Sequence, residues 1–197
     1  MRVRDENKIC KVRQYTVSLI VEEGLDGFSM NKLAKAAGIS PATLYIYYKD
    51  KDDLITKVST EIAQEMVRES LKDFDPDMHF AAGLQLQWQN RSRYFVKYPL
   101  EVEFIEKIRY SNVYQKIQPI IKQPFKEILG KFVKNAIEKK ELIDLPLEVY
   151  WSIAFAPLYQ LIKFHTQRNP IGDEPFQLNE DHLKQTLQLV LKALQPS

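Results

Sequence analysis

The sequence predicts an all-α fold, and three features of the 197-residue chain support that prediction. Apolar residues recur every three or four positions along most of the chain, as one buried face of an α-helix requires. No segment of useful length alternates apolar and polar residues in the manner of a half-buried strand. Glycine, proline and helix-capping residues fall between the periodic segments, where they mark helix ends. Together these features predict about nine helices.

The first three helices are short and closely spaced. Helix one is predicted over residues 5–23, because apolar side chains recur there at helical spacing. A second helix is expected between Ser29, which can cap its first turn, and Gly38, which can end it. A third begins at once, with Ser40 as its cap and Pro41 at its first position, and extends to about Tyr48.

The rest of the chain has longer helices. They are predicted at about residues 51–73, 77–97, 100–110, 120–140, 147–168 and 180–195, with loops near Pro119 and over 169–177. The helix over 147–168 is apolar on nearly every face, which is typical of a helix buried on two sides. Pro157 inside it can introduce a kink.

Composition excludes several classes of function. Hydrophobic residues make up 45% of the chain, which is enough for a real core. The single cysteine, Cys10, excludes an intrachain disulfide and a cysteine-ligated zinc site within one chain. His79, His165 and His182 lie far apart and form no metal-binding pair. We therefore expect no metal and no cofactor, and because no catalytic pair is visible, no enzymatic activity.

The sequence also lacks the marks of a membrane or exported protein. The first eight residues are charged and contain no apolar signal segment. The longest apolar stretch, residues 153–164, is interrupted by Gln160 and is shorter than the roughly 20 residues of a membrane span. We expect a cytoplasmic protein with no membrane partner.

Residues 29–48 have the layout of a helix-turn-helix, whose second helix enters the major groove of DNA. At about 100° per residue, Leu44 and Tyr48 share one face of the third helix and should pack inward. Ala42 and Ile46 then face outward, where apolar side chains suit thymine methyl groups. Hydroxyl groups beside them suit phosphate oxygens. Similar helix–glycine–helix units also occur in all-α proteins that bind no DNA, and the tyrosines could form a packing cluster.

Residues 28–54, FSMNKLAKAAGISPATLYIYYKDKDDL, resemble the DNA-binding signature of the tetracycline-repressor (TetR) family. The core of that signature is Leu–Ala–x–x–Ala–Gly–Val–Ser, followed by Thr–Leu–Tyr–x–aromatic–Phe–x–x–Lys–x–x–Leu. Positions 47 and 48 are often His and Phe in the family, whereas both are Tyr here. A looser resemblance to the C-terminal domain of one large subgroup covers residues 88–111.

The resemblance implies a two-domain homodimer. Residues 1–50 would form the helix-turn-helix DNA-binding domain, and residues 51–197 a helical ligand-binding and dimerisation bundle. Two recognition helices would bind a palindromic operator in double-stranded DNA, in successive major grooves roughly 34–36 Å apart. A small apolar or aromatic effector would bind in the bundle, move these helices apart and release the repressor.

The family pattern also implies which residues contact DNA. Three would lie near phosphates at the start of helix two, six would form the recognition surface, and one lysine would bind phosphate. In that order they are Ser29, Asn31 and Lys32; Pro41, Ala42, Thr43, Tyr45, Ile46 and Tyr47; and Lys51.

Polar-tipped aromatic residues and lone polar groups on apolar helix faces are candidates for the effector site. They are Trp88, Arg91, Tyr94, Tyr110, Tyr114, Trp151, Tyr159 and His165. Apolar stripes of the last two predicted helices are candidates for the dimer interface, although ordinary packing within one chain explains them too. They are Phe155, Ile162, Leu183, Leu187, Val190, Leu191 and Leu194.

One alternative function remains open. Residues 1–57 contain 10 Lys and Arg against 8 Asp and Glu, which accounts for the whole net charge of +2. This positive excess is small for a DNA-binding domain. The chain could therefore be a helical protein–protein interaction module whose helix-turn-helix has lost DNA binding. An affinity for DNA that falls as the salt concentration rises distinguishes a DNA-binding regulator from such a module.

Overall fold

The computed structural model describes residues 2–167 and 174–196 and contains ten helices and no β-strand in these ranges. The helices are α1 (Arg2–Gly27), α2 (Met30–Ala37), α3 (Pro41–Tyr47), α4 (Lys51–Ser70), α5 (Phe80–Lys97), α6 (Pro99–Ile108), α7 (Asn112–Glu138), α8 (Leu147–Ala154), α9 (Ala156–Thr166) and α10 (Glu180–Leu194). The predicted all-α fold is confirmed. Within the described ranges, no helix is both long and apolar enough to cross a membrane.

One predicted helix is divided in two. The sequence pattern predicts a single helix over residues 147–168, whereas α8 ends at Ala154 and α9 begins at Ala156. Phe155 lies between them with φ −127° and ψ −28°, and Pro157 follows in the first turn of α9. A proline inside a helix lacks the N–H and clashes with the carbonyl four residues earlier. The chain therefore starts a new helix at this point, where proline is favoured.

Helix α7 is longer than the helix that the sequence predicts. The sequence predicts that it begins after a loop at Pro119, but it begins at Asn112 and continues through both Pro119 and Pro124. A proline in a helix interior costs roughly 3 kcal/mol. Val113 and Ile117 lie in the extra turns and are buried in the core. Their burial offsets the cost of the proline, which local propensity alone does not capture.

The chain forms two compact units, and α4 and α7 each contribute to both. The first unit comprises Met1–Glu65 and Tyr98–Lys122, and the second comprises Met66–Lys97 and Gln123–Ser197. These units follow the packing of the helices. The domain boundary expected at residue 50 instead separates the three N-terminal helices from the rest of the chain by function. That boundary stays a prediction.

The first unit buries one face of each of its helices in a shared core. Ile20 of α1, Leu33 of α2, Leu44 of α3 and Phe104 of α6 are all fully buried members of this core. Because α2 and α3 are too short to be stable alone in water, their burial against α1 and α4 supplies most of their stability.

An ionic cluster at Arg13 joins three helices of the first unit. Its Nη2 donates to Glu65 Oε2 on α4 and to Glu101 Oε1 on α6, each at 2.8 Å. Burial lowers the pKa of Arg13, but the hydrogen bond to Glu65 and the charges of Glu101, Glu65 and Glu61 outweigh burial and raise it above its ordinary value. The cluster therefore keeps α1, α4 and α6 together with its charges paired.

The second unit packs α5, α8, α9, α10 and the C-terminal part of α7 around aromatic rings. Phe80 stacks on Phe132 with ring centroids 5.6 Å apart, and Phe132 meets Phe74 edge-on at 5.0 Å. Gly83 permits this close approach, because a Cβ there would lie 2.5 Å from Phe132 Cε2. The small residue and the ring are therefore matched in shape.

Two residues on α3 test the assignment of its inner and outer faces. Leu44 is 0% exposed, whereas Ile46 is 76% exposed. We expect Leu44→Ala to lower the free energy of unfolding by about 2–5 kcal/mol, because it leaves a cavity in the core. The matched change Ile46→Ala should alter it by about 0.5 kcal/mol or less. Urea denaturation followed by circular dichroism measures both, and equal losses would contradict the assigned faces.

Candidate functional site

Serine caps begin both helices of the helix-turn-helix. The Oγ of Ser29 accepts a hydrogen bond from Lys32 N at 3.3 Å, and the Oγ of Ser40 accepts one from Thr43 N at 3.2 Å. Pro41 occupies the first turn of α3, where no N–H is needed. These caps satisfy amides that the helices leave unpaired, so the sequence determines both starting points.

The turn between α2 and α3 depends on Gly38. This residue has φ 66° and ψ 35°, a left-handed conformation that glycine adopts without strain. The N–H of Ile39 then donates to Ala34 O at 3.0 Å, and the N–H of Gly38 donates to Lys35 O at 3.3 Å. This pair of bonds is the Schellman motif, which closes α2 and turns the chain directly into α3.

The outer face of α3 is largely apolar and open. Pro41, Ala42, Tyr45 and Ile46 are exposed, with Tyr45 54% exposed, while Leu44 is buried beneath them. The predicted orientation of α3 is therefore confirmed. A short helix with an exposed alanine and isoleucine on its outer face presents an unusual surface, and apolar side chains of this size suit thymine methyl groups in the major groove.

Two hydroxyl groups expected at phosphates have partners or packing within the chain. Thr43 is half-buried, and its Oγ1 lies 2.9 Å from Ser40 Oγ. Tyr47 is half-buried as well and packs on the core of the first unit, with its ring centroid 6.5 Å from that of Tyr48. Tyr45 is thus the tyrosine of α3 that projects most freely.

Lys51 is engaged inside the first unit. Its Nζ donates to Leu25 O at 2.6 Å and to Phe28 O at 3.0 Å, and lies 5.7 Å from the Phe28 ring centroid. Leu25 lies in the last turn of α1 and Phe28 just after it, so both carbonyls belong to the segment that leads from the end of α1 to α2. The lysine predicted to bind phosphate therefore also holds this segment against the start of α4.

The start of α2 has a similar arrangement. The Nζ of Lys32 pairs with the carboxylate of Glu23 and donates to Gly27 O at 3.0 Å. Asn31 beside it is exposed. Of the three residues expected near phosphates here, Ser29 is the helix cap, Lys32 is ion-paired, and Asn31 projects into solvent.

Asp53 anchors the C-terminal end of α3 to α4. Its Oδ2 accepts from Lys57 Nζ and from Lys49 N, each at 2.9 Å, and Lys57 also donates to Tyr47 O at 3.2 Å. The hydrogen bond from Lys57, followed by that from Lys49 N, holds the pKa of Asp53 below its ordinary value. Asp50 caps α4, because its Oδ1 accepts from Asp53 N at 2.8 Å.

The eight candidate effector residues are divided between the two units. Tyr110, which is almost fully exposed, and Tyr114, which is half-buried, belong to the first unit. The other six belong to the second. Three of those six, Arg91, Trp151 and Tyr159, meet around one buried charge.

That charge is the guanidinium of Arg91 on α5, which is 2% exposed. Its Nη1 lies 2.6 Å from Tyr159 Oη, and its Nε and Nη2 donate to Gln87 Oε1 at 3.3 and 3.1 Å. Three aromatic rings surround it, with the centroids of Phe125, Phe155 and Trp151 at 4.6, 4.7 and 5.6 Å from Cζ. We call this set of six residues the arginine box.

The remaining candidates have structural partners outside the box. Trp88 Nε1 donates to Ala154 O at 2.8 Å, and its ring is buried in the core. His165 Nδ1 accepts from Leu178 N at 3.4 Å and links the end of α9 to the segment before α10. Tyr94 is buried and lies edge-on to a neighbouring phenylalanine.

Two members of the arginine box are absent from the sequence prediction. Gln87 lies four positions before Arg91, so both point from the same face of α5, and this spacing could have indicated the pair. Phe125 lies on a different helix, 34 positions along the chain. No local pattern brings it to Arg91, since only tertiary packing does.

An open groove of about 380 Å³ lies elsewhere in the second unit. It runs along α7 to the start of α8, and its lining includes Val133, Ile137, Leu145 and Tyr150. None of the eight predicted effector residues lines it.

The candidate dimer residues are mostly covered within one chain. Five are buried in the core of the second unit: Phe155, Ile162, Leu187, Val190 and Leu194. Leu183 and Leu191 are half-buried against that core. A side chain already covered by its own chain has little surface left for a partner. The large apolar side chains that α8 and α10 do expose are Leu147, Val149, Trp151 and Leu189.

Comparison with known proteins finds the same organisation. The family model described as bacterial regulatory proteins, tetR family, matches residues 14–58, which include α2, α3 and the start of α4. An HTH-type transcriptional regulator of Haemophilus influenzae is 35% identical over 75 residues. That match spans 38% of this chain and 40% of the length of the relative.

Two solved structures resemble the chain over nearly its full length. A TetR family transcription regulator from Marinobacter aquaeolei VT8 is 25% identical, covers 98% of both chains and gives a TM-score of 0.79. The FadR regulator from Bacillus subtilis, solved in complex with stearoyl-CoA, is 19% identical and gives a TM-score of 0.64 over 92% of this chain and 97% of that one. The family and these relatives are transcriptional regulators rather than enzymes, which agrees with the expectation of no enzymatic activity.

Lys51 should matter for stability as well as for any contact with phosphate. We expect Lys51→Met to lower the free energy of unfolding by about 1–3 kcal/mol, because it leaves the carbonyls of Leu25 and Phe28 without their charged donor. Lys49→Met is the control, since that side chain is exposed. Urea denaturation compares the two variants. An unchanged midpoint for Lys51→Met would show that its hydrogen bonds are dispensable to the fold.

Proposed function

We propose that this chain, which belongs to the TetR family of bacterial regulatory proteins, is a dimeric repressor that binds a palindromic DNA operator and is released by a small effector. The observation that carries the proposal is the outer face of α3. Tyr45 and Ile46 project from it while Leu44 anchors it to the core.

The dimensions of α3 suit the major groove. An α-helix with its side chains is about 10–12 Å in diameter, and the major groove is about 12 Å wide, so α3 can lie in it. Ala42 and Ile46 then contact thymine methyl groups, and the Tyr45 hydroxyl reaches a base edge or a phosphate oxygen. Asn31 and Lys49, both exposed on neighbouring elements, add polar and charged contacts to the DNA backbone.

A dimer follows from the weakness of one such contact surface. A single seven-residue helix reads few base pairs, whereas two related by a twofold axis read both halves of a palindrome. The exposed apolar side chains of α8 and α10 offer a surface for this association. We therefore propose that Leu147, Val149, Trp151 and Leu189 lie at or beside the dimer interface, in place of the buried stripe.

Release by an effector requires that the effector prefer the form that does not bind DNA. The second unit contains the arginine box and a related fold holds stearoyl-CoA in FadR. We propose that a small molecule with an apolar or aromatic body binds in this unit. A bacterial DNA operator lies in the cytoplasm, and we therefore propose that the protein acts there.

Selection from a random duplex DNA pool at two salt concentrations tests the function. We expect a twofold symmetric site whose affinity falls steeply as salt rises, because bound phosphates release counterions. Recovery of no site, from protein shown to be folded and free of ligand, would instead favour a protein–protein interaction module.

Tyr45 on the outer face of α3 is expected to carry part of the operator affinity. Tyr45→Ala should weaken binding by roughly 5- to 150-fold, the range for a lost base contact of about 1–3 kcal/mol, without changing stability. Tyr15→Ala is the matched control, because this exposed tyrosine lies on α1 and outside the proposed DNA surface. Electrophoretic mobility shift measures both. If Tyr45→Ala binds as tightly as the control, the face of α3 does not contact the operator.

The proposed dimer depends on Leu189, which is 67% exposed on α10. Leu189→Lys should shift the protein to monomer, because it places a charge in an apolar interface. Gln188→Lys adds the same charge at an exposed neighbouring position and should leave the dimer intact. Sedimentation velocity distinguishes the two states. A dimer that survives Leu189→Lys would place the interface elsewhere.

A further inference from the structure

We propose that Arg91 binds the acidic group of the effector, so that the effector is an organic carboxylate with an apolar body rather than a neutral apolar compound. This inference rests on the proposed function and specifies the chemistry of its ligand. It follows from the charge of Arg91, its unused donors and the rings around it.

Arg91 carries a positive charge that no described acidic residue pairs. Arg91 is 2% exposed, and a guanidinium stays protonated at every physiological pH. No Asp or Glu among the described residues forms an ion pair with it, since its hydrogen-bond partners are the neutral side chains of Gln87 and Tyr159. A buried charge is normally paired, because burial removes its hydration. An anionic ligand supplies the missing partner.

The nearby phenol of Tyr150 does not take that role. Burial raises the pKa of Tyr150 well above its ordinary value, while the positive charge of Arg91 acts in the opposite direction without reversing the shift. Tyr150 is therefore uncharged at neutral pH. Among the described residues, no acidic group balances the positive charge of Arg91.

Arg91 also has hydrogen-bond donors to spare. A guanidinium has five N–H groups, and the bonds to Gln87 and Tyr159 use one each on Nε, Nη1 and Nη2. One N–H on each terminal nitrogen remains without an acceptor among the described residues. Two such N–H groups at the end of the fork match the two oxygens of a carboxylate.

Three aromatic rings surround the charge of Arg91. The rings of Phe125, Phe155 and Trp151 stabilise the cation in the absence of ligand through their electron-rich faces. The same rings offer apolar surface to the body of a ligand. Phe125 reaches the protein surface, whereas Phe155 is buried and Trp151 belongs to the proposed dimer surface, so a ligand enters past Phe125.

Pairs of ligands that share a skeleton but differ in charge distinguish the contribution of charge to binding from that of apolar contact. Straight-chain carboxylates of six to eighteen carbons and substituted benzoates are each compared with the alcohol of the same skeleton, by calorimetry on the full-length protein. We expect at least one carboxylate to bind about tenfold or more tightly than its alcohol. Equal affinities throughout the panel, or binding of none of the carboxylates, would overturn the inference.

Variants at two arginines of α5 assign the preference to a residue. Arg91→Met should remove the preference for the carboxylate, whereas Arg93→Met, at an exposed position, should retain it. If Arg91→Met does not fold, Arg91→Lys keeps the charge but loses the two-pronged donor, and carboxylate affinity should still fall. Wild-type affinity in Arg91→Lys, or a retained preference in Arg91→Met, contradicts the role of Arg91.

DNA binding by the ligand-free protein keeps this test separate from the proposed function. Operator binding without any carboxylate preference overturns the inference about Arg91 and leaves the repressor proposal standing. A carboxylate preference lost in Arg91→Met, in a protein that selects no DNA site, supports the role of Arg91 and overturns the repressor proposal.

Discussion

A seven-residue helix cannot hold its own position, and the candidate DNA surface depends on how the inner face of α3 is buried. Leu44 and Tyr48 pack into the core of the first unit, and this burial forces Tyr45 and Ile46 outward. Gly38 sets the direction of entry, and Asp53 with Lys57 holds the end of the helix. The exposed apolar face is therefore a consequence of core packing, which fixes its orientation.

The second unit presents a different constraint, because it encloses a positive charge. Arg91 is surrounded by aromatic rings and neutral acceptors, an arrangement that solvates a cation without neutralising it. A buried charge of this kind costs stability, since its hydration is replaced only in part. Proteins that bind ligands often keep such residues, because groups that are poorly satisfied alone become well satisfied with the ligand present.

The two units use lysines and arginines in different ways. In the first unit Arg13 pairs with two carboxylates and Lys51 donates to two carbonyls, so both residues link separate segments. Lys51 shows that a residue expected at phosphate can also support the fold, because it donates to two carbonyls of the first unit. A residue that a family pattern assigns to DNA contact must therefore be tested for stability before its effect on binding is interpreted.

The sequence by itself determined the all-α class, the caps at Ser29 and Ser40, the turn at Gly38 and the faces of α3, because all of these depend on residues within a few positions of one another. Only the tertiary structure decided the continuation of α7 through Pro119 and the burial of the stripe expected at a dimer interface. It also brought Phe125 to Arg91. These outcomes depend on which side chains, distant in sequence, pack against a given helix face. No local pattern in the sequence encodes that packing.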